Sequence, residues 1–296
     1  QSTVVAPTAE IAGDGSARSL GLQATTARLV VQDSRLEGSL AASGGQALSA
    51  GVDLREITEG WVRNAEIAGG RANGSELDVE AFGLEIESTS GLFVVEASRI
   101  GSGVPELDVA SGVGTFDEAR AFGLRCQAAE VLAVNDAVVS FGVEGSGDAD
   151  LVWSLPLEVV GGRVSSVHNV YATGRTAWSD ADARAFAVRL DNGGVLASVN
   201  DVLLPGRAAE VVGIEVADVS RGTAAHLRHP AFATLAGDAF DQGLVRVVAP
   251  GGSTTAHADV AAIEGCHEWT EGCASVQGAF AATAHFVEPL GALFDR

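Results

Sequence analysis

An all-β solenoid of short strands stacked coil on coil is the fold class this sequence predicts, and three observations predict it. The first is a pattern, Val-x-Asp/Asn-Ala/Ser-x-Ile/Leu-x-Gly, recurring about every 32 residues. Its anchors Val31, Val62, Val95, Val134, Val167 and Val199 stand at gaps of 31, 33, 39, 33 and 32. A fixed period of this size marks a unit that buries its apolar face against its neighbours. The second is a short alternating run ahead of each anchor, among them Leu20-Gly-Leu22, Ala50-Gly-Val52-Asp-Leu54, Phe82-Gly-Leu84-Glu-Ile86, Phe122-Gly-Leu124-Arg-Cys126 and Phe186-Ala-Val188-Arg-Leu190. Period-two alternation is the mark of a half-buried strand. The third is charge. Aligning these runs stacks Gln23, Asp53, Glu85, Arg125, Glu158, Arg189 and Glu215, and from Glu85 onward the sign alternates at every step. Opposite charges on strands about 4.8 Å apart are favourable and like charges are not.

In chain order, Ala6 opens a weaker first copy, and each coil then consists of an alternating run followed by an anchor strand. Phe82, Phe122 and Phe186 are expected to point into the lumen with Leu84, Ile86, Leu124 and Val188. The anchor strands carry a second outward column, Glu10, Arg35, Glu66 and Arg99, which continues as Val138, Tyr171 and Leu203. An apolar strip of that kind needs a cover, and the tail is expected to fold over it along coils 4 to 6. Between strands lies a corner column, Asp33, Asn64, Asp136, Asn169 and Asp201, with Thr8, Ala97 and His229 at the remaining steps. Asn and Asp bend the backbone and bond its free amides, so the column reads as a structural ladder. Calcium sites want converging carboxylates, whereas here no Asp stands directly above another. Leu227 begins a last copy, and residues 233–296 lose the period. The expected division is a solenoid over 1–232 and a C-terminal cap over 233–296, the cap holding strands near 241–249 and 281–287 and a short helix within 255–265.

Coil length, short strands, glycine punctuation and the corner Asn/Asp column together resemble the right-handed parallel β-helix proteins of the pectin-lyase-like superfamily, over about residues 3–232. The resemblance implies an all-β, right-handed parallel β-helix of about eight coils, roughly 35–40 Å long. Helical solenoids do not fit an apolar period of two, and leucine-rich repeats have shorter units. Enzymes of this superfamily carry clustered Asp ligands for calcium with a basic proton acceptor, or paired carboxylates with Gly-His-Gly and Arg-x-Lys elements. This chain has neither Gly-His-Gly nor any lysine, all 18 basic residues being arginine. The resemblance therefore points to the secreted, non-catalytic repeat proteins of bacteria, which serve as spacers, adhesins or matrix components. The alternative is a divergent polysaccharide-binding or polysaccharide-degrading protein.

The net charge of −21 argues against nucleic acid and anionic membranes, which require basic patches, and no apolar run is long enough to insert in a bilayer. An extracellular or cell-surface location is expected. The chain opens at Gln1 already inside the repeat, so the expectation is that further chain precedes it or that the uncapped first coil stacks on another copy. Cys126 occupies an inward position as a buried thiol. Cys266 and Cys273 bracket six residues in the tail, and a local disulfide is expected there, with a metal site built on His257 and His267 as the alternative. Loops on successive coils bring together Asp148, Asp150 and Trp153 with Trp178, Asp180 and Asp182. Aromatic faces beside carboxylates suit a sugar ring or a cation such as Ca2+; the plain reading is solvated loops on the rod. No cofactor or catalytic residue is expected.

Overall fold

The computed structural model describes residues 2–264 apart from 12–14, 26–27, 75–77, 104, 107–114, 146–147, 175, 179–182, 207, 218–222, 233–244 and 249–260. Every element among them is a β-strand, and the strands pair in parallel. One turn runs through four strands, first β1 (Ser2–Val5), β2 (Ala9–Ile11), β3 (Ala17–Thr25) and β4 (Arg28–Gln32). The cycle then repeats, so that the strands stack into a corner sheet of eight, a short sheet of six, a long sheet of eight and an anchor sheet of eight. The molecule is a parallel β-solenoid. Six turns are complete, where about eight were expected, and two more contribute three described strands each.

Stacking dictates the interior. Val52, Leu84, Leu124, Leu157 and Val188 of the long sheet meet Val62, Phe93, Val131 and Leu196 of the anchor sheet and Ile67, Ile100, Val138 and Tyr171 of the corner sheet in one continuous core. A second, smaller core of Ala81, Ala121, Val152 and Ala183 lies toward the short sheet. The two meet at a glycine column. A Cβ on Gly83 would stand 2.7 Å from the Gly101 carbonyl oxygen and from Ile100 Cγ2, and one on Gly51 would stand 2.7 Å from Ile67 Cγ2. At these two turns only a residue without a side chain lets the corner sheet approach the long sheet this closely.

At that column the alternation slips by one residue. Gly83 has no partner in the ladder between Phe82↔Phe122 and Leu84↔Leu124, and both Gly83 and Leu84 face the interior. The two strands keep the same offset on either side of the gap, so no residue is inserted; each coil bends at this column, and the bend reverses the sense of every side chain beyond it. Leu84, Ile86, Leu124 and Val188 therefore line the core as expected, but Phe82, Phe122 and Phe186 belong to a separate buried cluster. The guanidinium groups of Arg120 and Arg125 lie over the Phe122 ring, which puts these phenylalanines on the outer face, beside the charges.

A second correction has a single cause. Val31, Val62 and Val95 stack as expected, but their partners further along are Ala133, Ser166 and Ser198. Val134, Val167 and Val199 stand one residue later, in register with Glu96, on the outside. A one-residue shift exchanges the faces of a strand. Val138, Tyr171 and Leu203 accordingly align with Ile100 and are fully buried in the core. The outward column is Arg35, Glu66, Arg99, Ala137, Val170 and Val202. Glu10 lies in the short sheet opposite Ala42. No bare strip exists at Val138, Tyr171 and Leu203, and the lid expected over them has nothing to cover.

The corner column divides in the same way. Asp33, Asn64, Ala97, Asn135, His168, Asn200 and His229 all adopt left-handed backbone, φ 47–58°, a region that Asn, Asp and His tolerate best among residues with a side chain. Asp136, Asn169 and Asp201 occupy the next position. Asp241 lies outside the described residues, but Val245–Val248 forms a strand on the long sheet and Ala261–Glu264, inside the expected helix, forms one on the anchor sheet. These two pairings set Arg246 opposite Glu215 and Glu264 opposite Arg228.

Candidate functional site

Three rows run along the outer face of the long sheet. A rail of Leu20, Ala50, Phe82, Phe122, Leu155, Phe186 and Val212 follows the sheet at the bend. On one side stand Glu80, Arg120, Trp153, Arg184 and Glu210. On the other stands the predicted ladder, and its order is as expected: Gln23, Asp53, Glu85, Arg125, Glu158, Arg189 and Glu215 are successive partners. Arg125 lies 3.5 Å from Glu85 and 2.9 Å from Glu158, and Arg189 lies 2.9 Å from Glu158 and 3.1 Å from Glu215.

The ladder is far less exposed than alternation implied. Its Glu85, Arg125, Glu158, Arg189 and Glu215 side chains are only 2–17% exposed. Burial pushes the Glu85 carboxyl up, Arg125 beside it pulls it part of the way back, and Gln127 donates a hydrogen bond to it at 2.6 Å. Burial opposes the charge on Arg189, but Glu158, Asp191 and Glu215 outweigh it and raise its pKa. The rail is what dries this face: paired guanidinium planes fold over apolar rings, a favourable arrangement for arginine.

At the first turns the rows open into a cleft of about 630 Å3 lined by Arg18, Leu48, Arg55, Glu80, Glu87 and Gln127, among others. Arg18 and Arg55 both reach Asp53, at 3.8 and 3.1 Å, and Arg120 pairs with Glu80 and Glu118. Burial raises the Glu118 carboxyl and Arg120 opposes that. The cleft offers hydrogen-bond donors and acceptors in alternation over a partly apolar floor.

The residues expected to bind a ligand fall on two sheets where their backbone is described. Asp148, Asp150 and Trp153 lie within one strand of the long sheet, Asp148–Val160, rather than in a loop. Trp153 is buried in the rail, edge-on to Phe186 with ring centres 5.9 Å apart and Arg189 4.4 Å from its ring. Trp178 belongs to Ala177–Trp178 in the short sheet, and Asp180 and Asp182 lie outside the described residues, as do Cys266 and Cys273. Cys126 is a free, buried thiol, and burial pushes its pKa up.

The corner carboxylates hold backbone, as a structural ladder should. Asp136 accepts a hydrogen bond from the Ser98 amide at 2.8 Å, Asn169 from that of Asp136 at 2.6 Å, and Asp201 from that of Asn169 at 2.7 Å. Each links one coil to the next. Burial raises Asp136 to about 7 and Asp201 to about 6, against the hydrogen bonds they accept. Inward of them Asn169 donates to Ser166, whose hydroxyl shares a 2.8 Å hydrogen bond with Tyr171. Among the described residues no group of three His, Cys, Asp or Glu side chains is placed to hold a metal ion.

Comparison with protein-family profiles, curated proteins and solved structures gives no match to this chain.

Proposed function

We propose that this chain is a non-catalytic β-solenoid of the extracellular space or bacterial cell surface, used as a spacer, adhesin or matrix component, and that it is akin to the secreted members of the pectin-lyase-like superfamily. One observation carries the reading. The long face, where a β-helix enzyme would need a carboxylate free to act as acid or base, is occupied by carboxylates committed to arginine on the neighbouring coil. A general acid or base needs a proton that moves at working pH; an ion pair between coils serves register instead. Self-association at the first turn is part of this proposal. Among the described residues strand β1 pairs with Ser34–Glu37 of the next turn, and Val4 and Val5 are exposed; apolar residues presented beside strand backbone favour pairing with another strand. Purified protein is expected to release no product from pectate or other acidic polysaccharides, with or without calcium. Product formation abolished by replacing a single Asp or Glu would overturn the reading.

A second reading, a polysaccharide-binding protein, draws support from the cleft. Its size suits a short stretch of sugar chain, and its alternating Arg, Glu and Gln side chains match hydroxyl groups as donors and acceptors. A glycan-array screen separates the two: binding weakened by Arg18→Ala and Glu87→Gln favours the second, and an unresponsive array favours the first.

A further inference from the structure

The outer face of the anchor sheet carries an arrangement that the long face does not. On the first four turns its central row is Val30, Trp61, Val94 and Leu132. Val30 is 61% exposed and Leu92, beside the row, is 44% exposed. Flanking the row are Arg28, Glu59 and Glu130 on one side and Arg63 and Glu96 on the other. Of these charges, Arg28 pairs with Glu59 at 2.8 Å and Arg63 with Glu96 at 3.4 Å, all four well exposed. An apolar strip rimmed by charge on one sheet face is the composition of an interface rather than of a solvated wall.

We propose that this face binds a second copy of the chain, the two rods lying antiparallel with anchor sheets face to face. The order of residues selects this partner and this geometry. A two-fold axis along the strands, passing between the second and third turns, sets turn one against turn four and turn two against turn three. Arg28 then meets Glu130 of the second copy and Arg63 meets Glu96, each pair occurring twice. Val30 meets Leu132 and Trp61 meets Val94. Every residue of the central row is matched by an apolar residue, and four charge pairs form around it. Glu59, which falls opposite Leu92, keeps its own Arg28. The other face-to-face symmetry, an axis along the rod, forms only Glu59–Arg63 and sets Glu96 against Leu92 and Glu130 against Val134. That arrangement is disfavoured because it forms two charge pairs instead of four and sets two carboxylates of each copy against apolar residues. Four strands at about 4.8 Å by five residues at about 3.3 Å give a contact of roughly 19 by 17 Å, about 650 Å² over both copies, below the size of a stable dimer, so the association is a weak and transient one. The inference does not depend on the proposed function; a carbohydrate-binding solenoid would carry the same face.

The test is sedimentation of the full chain over a concentration series up to about 1 mM, the range of a weak complex. The wild type is expected to show a reversible monomer–dimer equilibrium. Val94→Glu, Arg28→Glu and Glu130→Arg, each with unchanged circular dichroism, are expected to weaken it at least tenfold. The decisive arm mixes the two charge variants. Arg28→Glu pairs Glu with Glu130 in its own homodimer, and Glu130→Arg pairs Arg with Arg28, but a heterodimer of the two restores every cross pair. Recovery of dimer in the equimolar mixture is the expected result. A wild type monomeric throughout, a dimer indifferent to Val94→Glu, or a mixture no more associated than its components would overturn the proposal. Association lost on Val5→Asp but kept in Val94→Glu would locate self-association at the first turn instead and leave this face unused.

Discussion

Asp136 and Asp201 show how much a single buried carboxyl can weigh. Each accepts an amide of the preceding coil, so each fixes a left-handed corner, yet burial raises both from 3.8, to about 7 and about 6. The sign follows from proton binding. A carboxyl with a higher pKa folded than unfolded takes up protons on folding, so its stabilising contribution is complete below pH 3.8 and is lost as pH rises through the folded values. Thermal melts are expected to show Tm falling by several degrees between about pH 4 and 7. Removing the charge at both sites, with Asp136→Asn and Asp201→Asn, should flatten that slope; a slope unchanged in the double variant would place the effect in the general surplus of negative charge. Gly83 is the second residue on which much depends. Gly83→Val puts carbon where the Gly101 carbonyl and Ile100 already stand. A loss of at least about 1–3 kcal/mol, the usual cost of overpacking, is expected in denaturant titrations. A fully stable variant would mean that the corner sheet can retreat.

Among elements, the two ion-pair systems separate by burial. Glu158 is nearly inaccessible between Arg125 and Arg189, whereas Arg35 and Glu66, 3.8 Å apart on the corner sheet, are each about half exposed. Glu158→Ala removes the carboxylate shared by two largely buried guanidinium groups, which keep Glu85 and Glu215, and is expected to cost about 1–3 kcal/mol, while Glu66→Ala should cost less than about 1 kcal/mol. Equal shifts in urea midpoint would contradict the assignment of buried and exposed ladders. The long sheet was readable from sequence because charge supplied a signal independent of hydrophobicity: Glu85 to Glu215 could be aligned in only one way without like charges meeting. The anchor sheet beyond Val95 offered no such check. There the lumen row becomes Ala133, Ser166 and Ser198, small or polar because the Tyr171 ring fills the core and its hydroxyl meets Ser166. The valines meanwhile moved to the outside, so an apolar criterion chose the wrong residues by one. The bend at Gly83 was hidden for a related reason. Strict alternation reads Phe82 and Leu84 as one face, and only the missing glycine partner reveals two. The cleft was illegible altogether, since it joins side chains from turns that are adjacent only once stacked.

As a whole, the molecule is a one-dimensional stack whose turns touch only their neighbours, so stability should vary along its axis rather than by distance from a centre. Hydrogen exchange is expected to be slowest in the long-sheet strands near Val79–Glu87 and Thr115–Gln127 and fastest in β1, all four residues of which are exposed. Uniform protection from end to end would instead indicate a single cooperative unit. The alternating column along the long sheet has a further meaning for how such a rod can change length. Its sign reverses at every turn from Glu85 to Glu215, and Arg246 extends the alternation by one more step. Excising one turn would bring Arg125 against Arg189, or Glu158 against Glu215, inside a nearly dry face. Excising two consecutive turns restores plus against minus. The rod therefore obeys a parity rule: over this stretch, turns can be gained or lost without electrical penalty only in even numbers.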